Sequence, residues 1–170
     1  MQIEECFSDL KVTKQNEWVP KWQGQLLITS GAIAWTQRCE RALLFIKEGK
    51  DKNSLRSVRK RQMRFNKNLT EMVRKGDIDS KNRSKIVALI TTELHNRDVI
   101  ERMIRAGCQN PEDFMWRSQL RFYLDGSLCS SQQNNHGLPF GYEYQGNNGR
   151  LVVTPLTDRC VFKHKANVKQ

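Results

Sequence analysis

Signatures of metal binding and disulfide bonding are missing from this chain. Its five cysteines, Cys6, Cys39, Cys108, Cys129 and Cys160, are scattered, odd in number and never spaced as C-x-x-C. The pattern predicts reduced thiols rather than a disulfide scaffold. The three histidines, His95, His136 and His164, lie far apart and away from cysteines at ligand spacing, which argues against a zinc site. No apolar run approaches the roughly 18 residues of a membrane span. The start, Met1-Gln-Ile-Glu-Glu-Cys6, has two acids and no apolar core, unlike a secretory signal. Neither G-x-S-x-G nor G-x-x-x-x-G-K-[ST] occurs: Gly49-Lys50 is followed by Asp51, with no glycine at the required distance upstream. Nucleophilic hydrolysis and a phosphate loop within these residues are therefore not expected.

Acidic residues are also scarce. The formal net charge is +11, and most of it sits in the middle of the chain. Residues 51–110 hold 15 Lys/Arg against 7 Asp/Glu, whereas residues 1–50 and 111–170 are nearly balanced. Such a stripe can bind phosphates or acidic proteins, or it can be a solvated helix face. Phe65 alone interrupts it as an aromatic, so base stacking has little support and nucleic acid is the weaker reading.

The chain length of 170 residues suits one domain or two small pieces. Residues 1–17 carry a sparse apolar pattern, Ile3, Phe7 and Leu10, which fits a short helix or a ragged end. Pro20 predicts that the next helix starts after it. Apolar positions from Gln23 to Glu48 recur at helical spacing, with Gly31 a weak point inside. Leu55–Lys75 and Ser80–Ala106 read as two further helices, the second with the clearer apolar stripe. Asn110-Pro-Glu-Asp113 reads as the start of a fourth helix running to about Leu124. Within the third helix, Glu93/Arg97 and Asp98/Arg102 are i,i+4 pairs of opposite charge. His95, Arg97 and Asp98 therefore read as a polar clamp between helices rather than as a general-base group. The tryptophans, Trp18, Trp22, Trp35 and Trp116, read as packing residues.

Ser127–Gly137 reads as a loop or a pair of short strands. Strand-like residues return at Phe140, Tyr142, Tyr144 and Leu151–Val153, with Asn147-Asn-Gly149 as a turn between them. Lys163–Gln170 has no core pattern. The residues alone thus give a mainly helical, basic chain with a β-like segment near its end.

Phe140-Gly-Tyr-Glu-Tyr-Gln-Gly-Asn147 followed by Arg150-Leu-Val-Val-Thr-Pro-Leu-Thr-Asp-Arg-Cys160 closely resembles the entry to the first AAA+ module of dynein heavy chains. Upstream and in order, Trp22-Gln-Gly-Gln25, Ala34-Trp-Thr36 with Glu40, and Leu89-Ile-Thr-Thr-Glu-Leu-His95 with Arg97-Asp98 resemble the C-terminal part of the dynein linker. Asp113-Phe with Trp116, and Ser118-Gln-Leu-Arg-Phe-Tyr123, extend that resemblance. It covers about Trp18 to Cys160.

The resemblance implies a mainly α fold: a helical bundle of the linker type, followed by a short β-containing entry to an incomplete AAA+ module. The implied organisation is a ragged segment over 1–17, linker helices over 18–125, a connector loop over 126–139, the module's start over 140–162 and a basic tail over 163–170. It implies an adenine-contacting loop at Leu151, Val152, Val153, Thr154, Pro155 and Leu156. In such a loop an apolar strand and a Pro-fixed turn present a dry wall and main-chain groups. In the family this lever moves as ATP and magnesium are bound and ATP is hydrolysed, driving movement along microtubules.

The implied partners are the rest of the heavy-chain ring, the intermediate and light chains and, indirectly, the microtubule. The implied location is the cytoskeleton, with a ciliary axoneme favoured, and no membrane. The family continues past the cysteine into a phosphate loop, which these residues lack, so they read as a piece of a heavy chain without ATPase activity of its own. The alternative is a small basic helical module that binds nucleic acid or an acidic protein.

Overall fold

The computed structural model describes residues 2–76, 78–141 and 143. Five helices longer than a turn come first: α1 (Gln2–Val12), α2 (Gln15–Lys21), α3 (Gly24–Lys47), α4 (Ser54–Arg74) and α5 (Ser80–Arg105). A single turn, α6 (Phe114–Arg117), leads into β1 (Arg121–Asp125), β2 (Leu128–Gln133) and β3 (His136–Pro139). The fold is mainly α with a small antiparallel sheet of order β1-β2-β3, as the sequence predicts.

Helix α3 lies at the centre, because it contributes to each of three packed clusters. Trp35, Cys39, Ala42 and Leu43 meet Leu55 of α4, Val99, Ile100 and Met103 of α5, and Trp116. Nearer the start of α3, Leu27 and Ile28 meet Trp18, Val19, Leu69, Ile86 and Leu89. On a third side Ile33 joins Ile3 and Phe7 of α1 and Cys129 of the sheet. A helix apolar on more than one side is a buried helix, and that accounts for the run Leu27–Ile33 being buried without a break.

Four expectations need correction or sharpening. Residues 2–12 are a helix whose Ile3, Cys6 and Phe7 are buried, a spacing that sets one face against α3. A helix does start after Pro20, α3 at Gly24, but Pro20 itself lies inside the last turn of a further short helix, α2. The α2 helix is only seven residues long. The hydrogen bond that Pro20 cannot donate would have gone to exposed Asn16, where water can replace it. Burial of Trp18 and Val19 holds this short helix in place.

The predicted fourth helix is overturned. Asp113 Oδ2 accepts from the backbone N–H groups of Gln109 and Asn110 at 2.9 and 3.0 Å, so the start signal is spent on a turn. Only Phe114–Arg117 is helical, and Arg121–Asp125 is a strand. Ser127–Gly137 falls largely within β2 and β3, the paired-strand reading of that stretch. Gly126, at φ 55°, opens the two-residue turn between Asp125 and Leu128, where a side chain would be strained. Asn134, at φ 53°, does the same before β3, a conformation Asn tolerates.

Candidate functional site

Leu151, Val152, Val153, Thr154, Pro155 and Leu156, the segment matched to an adenine-contacting loop, lie outside the described residues. So do the Asn147-Asn-Gly149 turn, Tyr142, Tyr144 and the tail 163–170. What the structure describes is the platform from which that segment departs.

The platform is a junction between the sheet and α3. The outer edge of β1 would carry unpaired backbone groups, a liability in any sheet. Here α3 covers it: Thr36 Oγ1 accepts from Phe122 N–H at 3.1 Å while donating to Ala32 O. One turn along α3, Glu40 Oε1 accepts from the Tyr123 hydroxyl at 2.5 Å and lies 3.9 Å from Arg121 Nη1. Burial and the neighbouring Glu40 carboxylate push the Tyr123 hydroxyl well above its ordinary pKa, so it stays protonated and keeps donating.

The inner side of β1 is apolar. Phe122 and Leu124 pack with Leu26 and Ala34 against Cys129. The chain leaving β3 is fixed to the same junction. Phe140 N–H donates to Cys129 O at 2.9 Å, its ring meets Phe122 edge-on at 6.0 Å, and Gln25 Nε2 donates to Glu143 O at 2.7 Å. The path toward the candidate segment is thus tied to α3 through its start (Gln25), middle (Thr36) and later turns (Glu40).

A second polar group is buried where α3, α4 and α5 meet. Glu93 is 1% exposed. Its Oε2 accepts from Gln62 Nε2, and its backbone oxygen accepts from Asn66 Nδ2 at 3.3 Å. Its Oε1 has no hydrogen-bond partner and faces Gly31, where a Cβ would stand only 2.8 Å from it. Burial pushes this carboxyl above the usual carboxylate range, opposed by the Gln62 hydrogen bond and the Arg38 charge. Glu93 therefore points into the junction as a clamp between helices, while Arg97 donates to Asp98 at 2.9 and 2.6 Å. Between α4 and α5, Arg59 Nη1 also meets Glu101 at 2.6 Å.

The residues that carry the sequence resemblance are largely the ones that make these junctions. Gln25, Thr36, Glu40 and Tyr123 join the sheet to α3. Trp35 and Trp116 meet at 5.1 Å between ring centroids, and Glu93 joins α5 to α4. Gln62, Asn66 and the close approach at Gly31 escape a reading of sequence. Gln62 and Asn66 sit at i and i+4 amid basic residues, and this polar pair on the buried side of α4 is the only signal they give.

Among the described residues no group of three His, Cys, Asp or Glu could hold a metal ion, and no helix is long and apolar enough to cross a membrane. No protein-family profile matches the chain. Comparison with curated proteins does give relatives. The chain is 45% identical over 160 residues to the Dynein-1-beta heavy chain of the flagellar inner arm I1 complex from Chlamydomonas reinhardtii, covering 93% of this chain and 4% of that protein. It is 43% identical over 151 residues to Dynein axonemal heavy chain 2 from Homo sapiens, covering 88% of this chain and 3% of that protein. It is 34% identical over 161 residues to the Dynein alpha chain of the flagellar outer arm from Chlamydomonas reinhardtii. The chain spans only 3–4% of the length of these relatives. On identity above 40% over about nine tenths of its residues, the chain belongs to the dynein heavy chain family and is a piece of heavy-chain sequence of the axonemal kind.

Proposed function

We propose that these residues form the C-terminal helices of a dynein-type linker and the entry to the first AAA+ module of an axonemal microtubule motor. The observation that carries this reading is the position of the family-like residues. Gln25, Thr36, Glu40, Phe122 and Tyr123 tie the sheet and the chain beyond it to α3. A lever driven from a nucleotide site needs such a connection, since coupling travels through rigid elements packed on one another. Leu151–Leu156 would supply the wall against the adenine. The phosphate cradle, the magnesium carboxylate and the arginine finger would come from other parts of a heavy chain, because a triphosphate's charge needs backbone N–H groups and a lysine that these motifs do not offer. ATP and magnesium are thus substrate and cofactor of the assembled motor. The ring, the intermediate and light chains and the microtubule are its partners, and the axonemal cytoskeleton is its place.

Two measurements test the reading. The purified 170-residue chain should show no magnesium-dependent ATP turnover; sustained turnover would overturn the division of labour above. An axonemal heavy chain whose matching segment is replaced by these residues should still move microtubules with ATP. A folded chimera that hydrolyses ATP yet moves none would count against the linker assignment.

A further inference from the structure

The motor reading makes no use of the outer face of α4. Arg56, Lys60, Met63 and Lys67 follow one another at i, i+4, i+7 and i+11, with Arg64 beside them, and all five are exposed. They form one stripe roughly 16 Å long at 1.5 Å per residue. Arg56/Lys60 and Lys60/Arg64 are like-charged i,i+4 neighbours, an arrangement that works against the helix itself. Within the stripe Lys67 pairs with Glu71 at 3.8 Å, both well exposed.

At its first turn the stripe opens into a cleft of about 440 Å³ between the start of α4 and the end of α5. Ile46, Leu55, Ile104 and Cys108 give the cleft apolar walls, and Lys52 and Arg56 give it two cations. The positive end of the α4 dipole lies there too.

We propose that this cleft and stripe form a docking surface for one class of partner: an acidic polypeptide segment bearing an apolar anchor residue. The anchor enters the cleft and the carboxylates lie along Arg56, Lys60, Arg64 and Lys67. Charge complementarity selects the acidic segment. The cleft and Met63, which is 52% exposed in the middle of the cations, select a polypeptide over nucleic acid. Interfaces between proteins favour methionine and a filled apolar pocket within a polar rim, whereas a phosphate backbone uses neither. Phe65, the one aromatic among these residues, packs into the cluster around Leu69 and Ile86, which leaves no ring on this face for stacking bases. The surface is independent of the motor assignment.

The test is a fluorescence-anisotropy titration of the full 170-residue chain at low salt. The probes are a labelled glutamate-rich peptide with one central leucine, the same peptide with serine in its place, and a labelled DNA duplex. The leucine peptide should bind and be released as salt rises. The serine peptide should bind on the order of tenfold more weakly, the worth of one buried leucine. Lys60→Glu with Arg64→Glu, both exposed, should leave the melting temperature unchanged and weaken the leucine peptide by about tenfold or more. Absence of peptide binding at low salt, equal affinity for the two peptides, unchanged binding by the reversed variant, or tighter binding of the duplex than of the peptide would each overturn the proposal.

Discussion

Gly31 and Glu93 face each other under opposing local demands. Alanine is the better helix former by about 1 kcal/mol, so propensity alone says that Gly31→Ala should stabilise α3. The structure says otherwise, because the added methyl would stand 2.8 Å from Glu93 Oε1, whose carboxyl is held by Gln62. Gly31→Ala should therefore destabilise by about 1–3 kcal/mol in urea melts, the usual size of an overpacked core; a gain would show that α5 yields freely. Glu93 makes a pH prediction of definite sign. Its pKa is raised in the folded chain by burial, so across the window above 4.5 the folded state holds a proton that the unfolded state has released. Stability at this site therefore falls as pH rises through that window. Glu93→Gln has no proton to lose, so its stability relative to the parent should be greater at pH 8 than at pH 5. Identical pH dependence in the two proteins would remove the buried charge from the account. Glu93→Ala should cost about 1–3 kcal/mol at pH 5, since it leaves Gln62 without its acceptor, and less at pH 8, because alanine likewise has no proton to lose.

Each element depends on what α3 covers. Trp116 is fully buried against Trp35, and Trp116→Ala should cost about 3–5 kcal/mol, the usual loss for a large aromatic in a core. A loss below 1 kcal/mol in a denaturant melt would mean that α6 is not fixed to α3. The three long helices were legible in the sequence because their apolar residues recur for six turns or so, long enough for the period to declare itself. Arg121-Phe-Tyr-Leu124 was not, since four residues cannot separate a strand from a helix turn. Its strand state is set by the ladder with β2 and by Thr36 and Glu40, more than eighty residues earlier. The Asn110–Asp113 start signal was real chemistry used for a turn. Asp125-Gly126 forms the hairpin turn between β1 and β2, a dipeptide suited to it that the helical reading up to Leu124 left unused. The polar clamp between helices was read at His95, Arg97 and Asp98, whereas Arg97 pairs with Asp98 within α5 and it is the buried Glu93 that reaches across to Gln62. Of the candidate site, the residues of the α3 junction were visible only through resemblance, and Leu151–Leu156 lie outside the described residues.

At the scale of the whole molecule, the described cysteines report on whether the packing around α3 is one unit. Cys6, Cys39, Cys108 and Cys129 are all buried. Burial pushes the Cys6 thiol up to about 11, raises Cys39 further and also raises Cys108 and Cys129, so none offers a thiolate at neutral pH. In a Cys160→Ser background, a thiol reagent should label these four slowly and together, at the rate of global opening; early labelling of Cys129 alone would show the sheet opening apart from α3. Phe114, Leu128 and Leu138 are each at least 68% exposed, apolar surface that suits docking against further protein. The central claim is that the α3–sheet junction transmits movement between the linker helices and the nucleotide module. The most direct measurement places Thr36→Val with Tyr123→Phe in an axonemal heavy chain carrying these residues, and follows ATP turnover and microtubule gliding in the same preparation. The account predicts that turnover persists while gliding slows; gliding at the parent's speed with these two hydrogen bonds between α3 and β1 removed would contradict it.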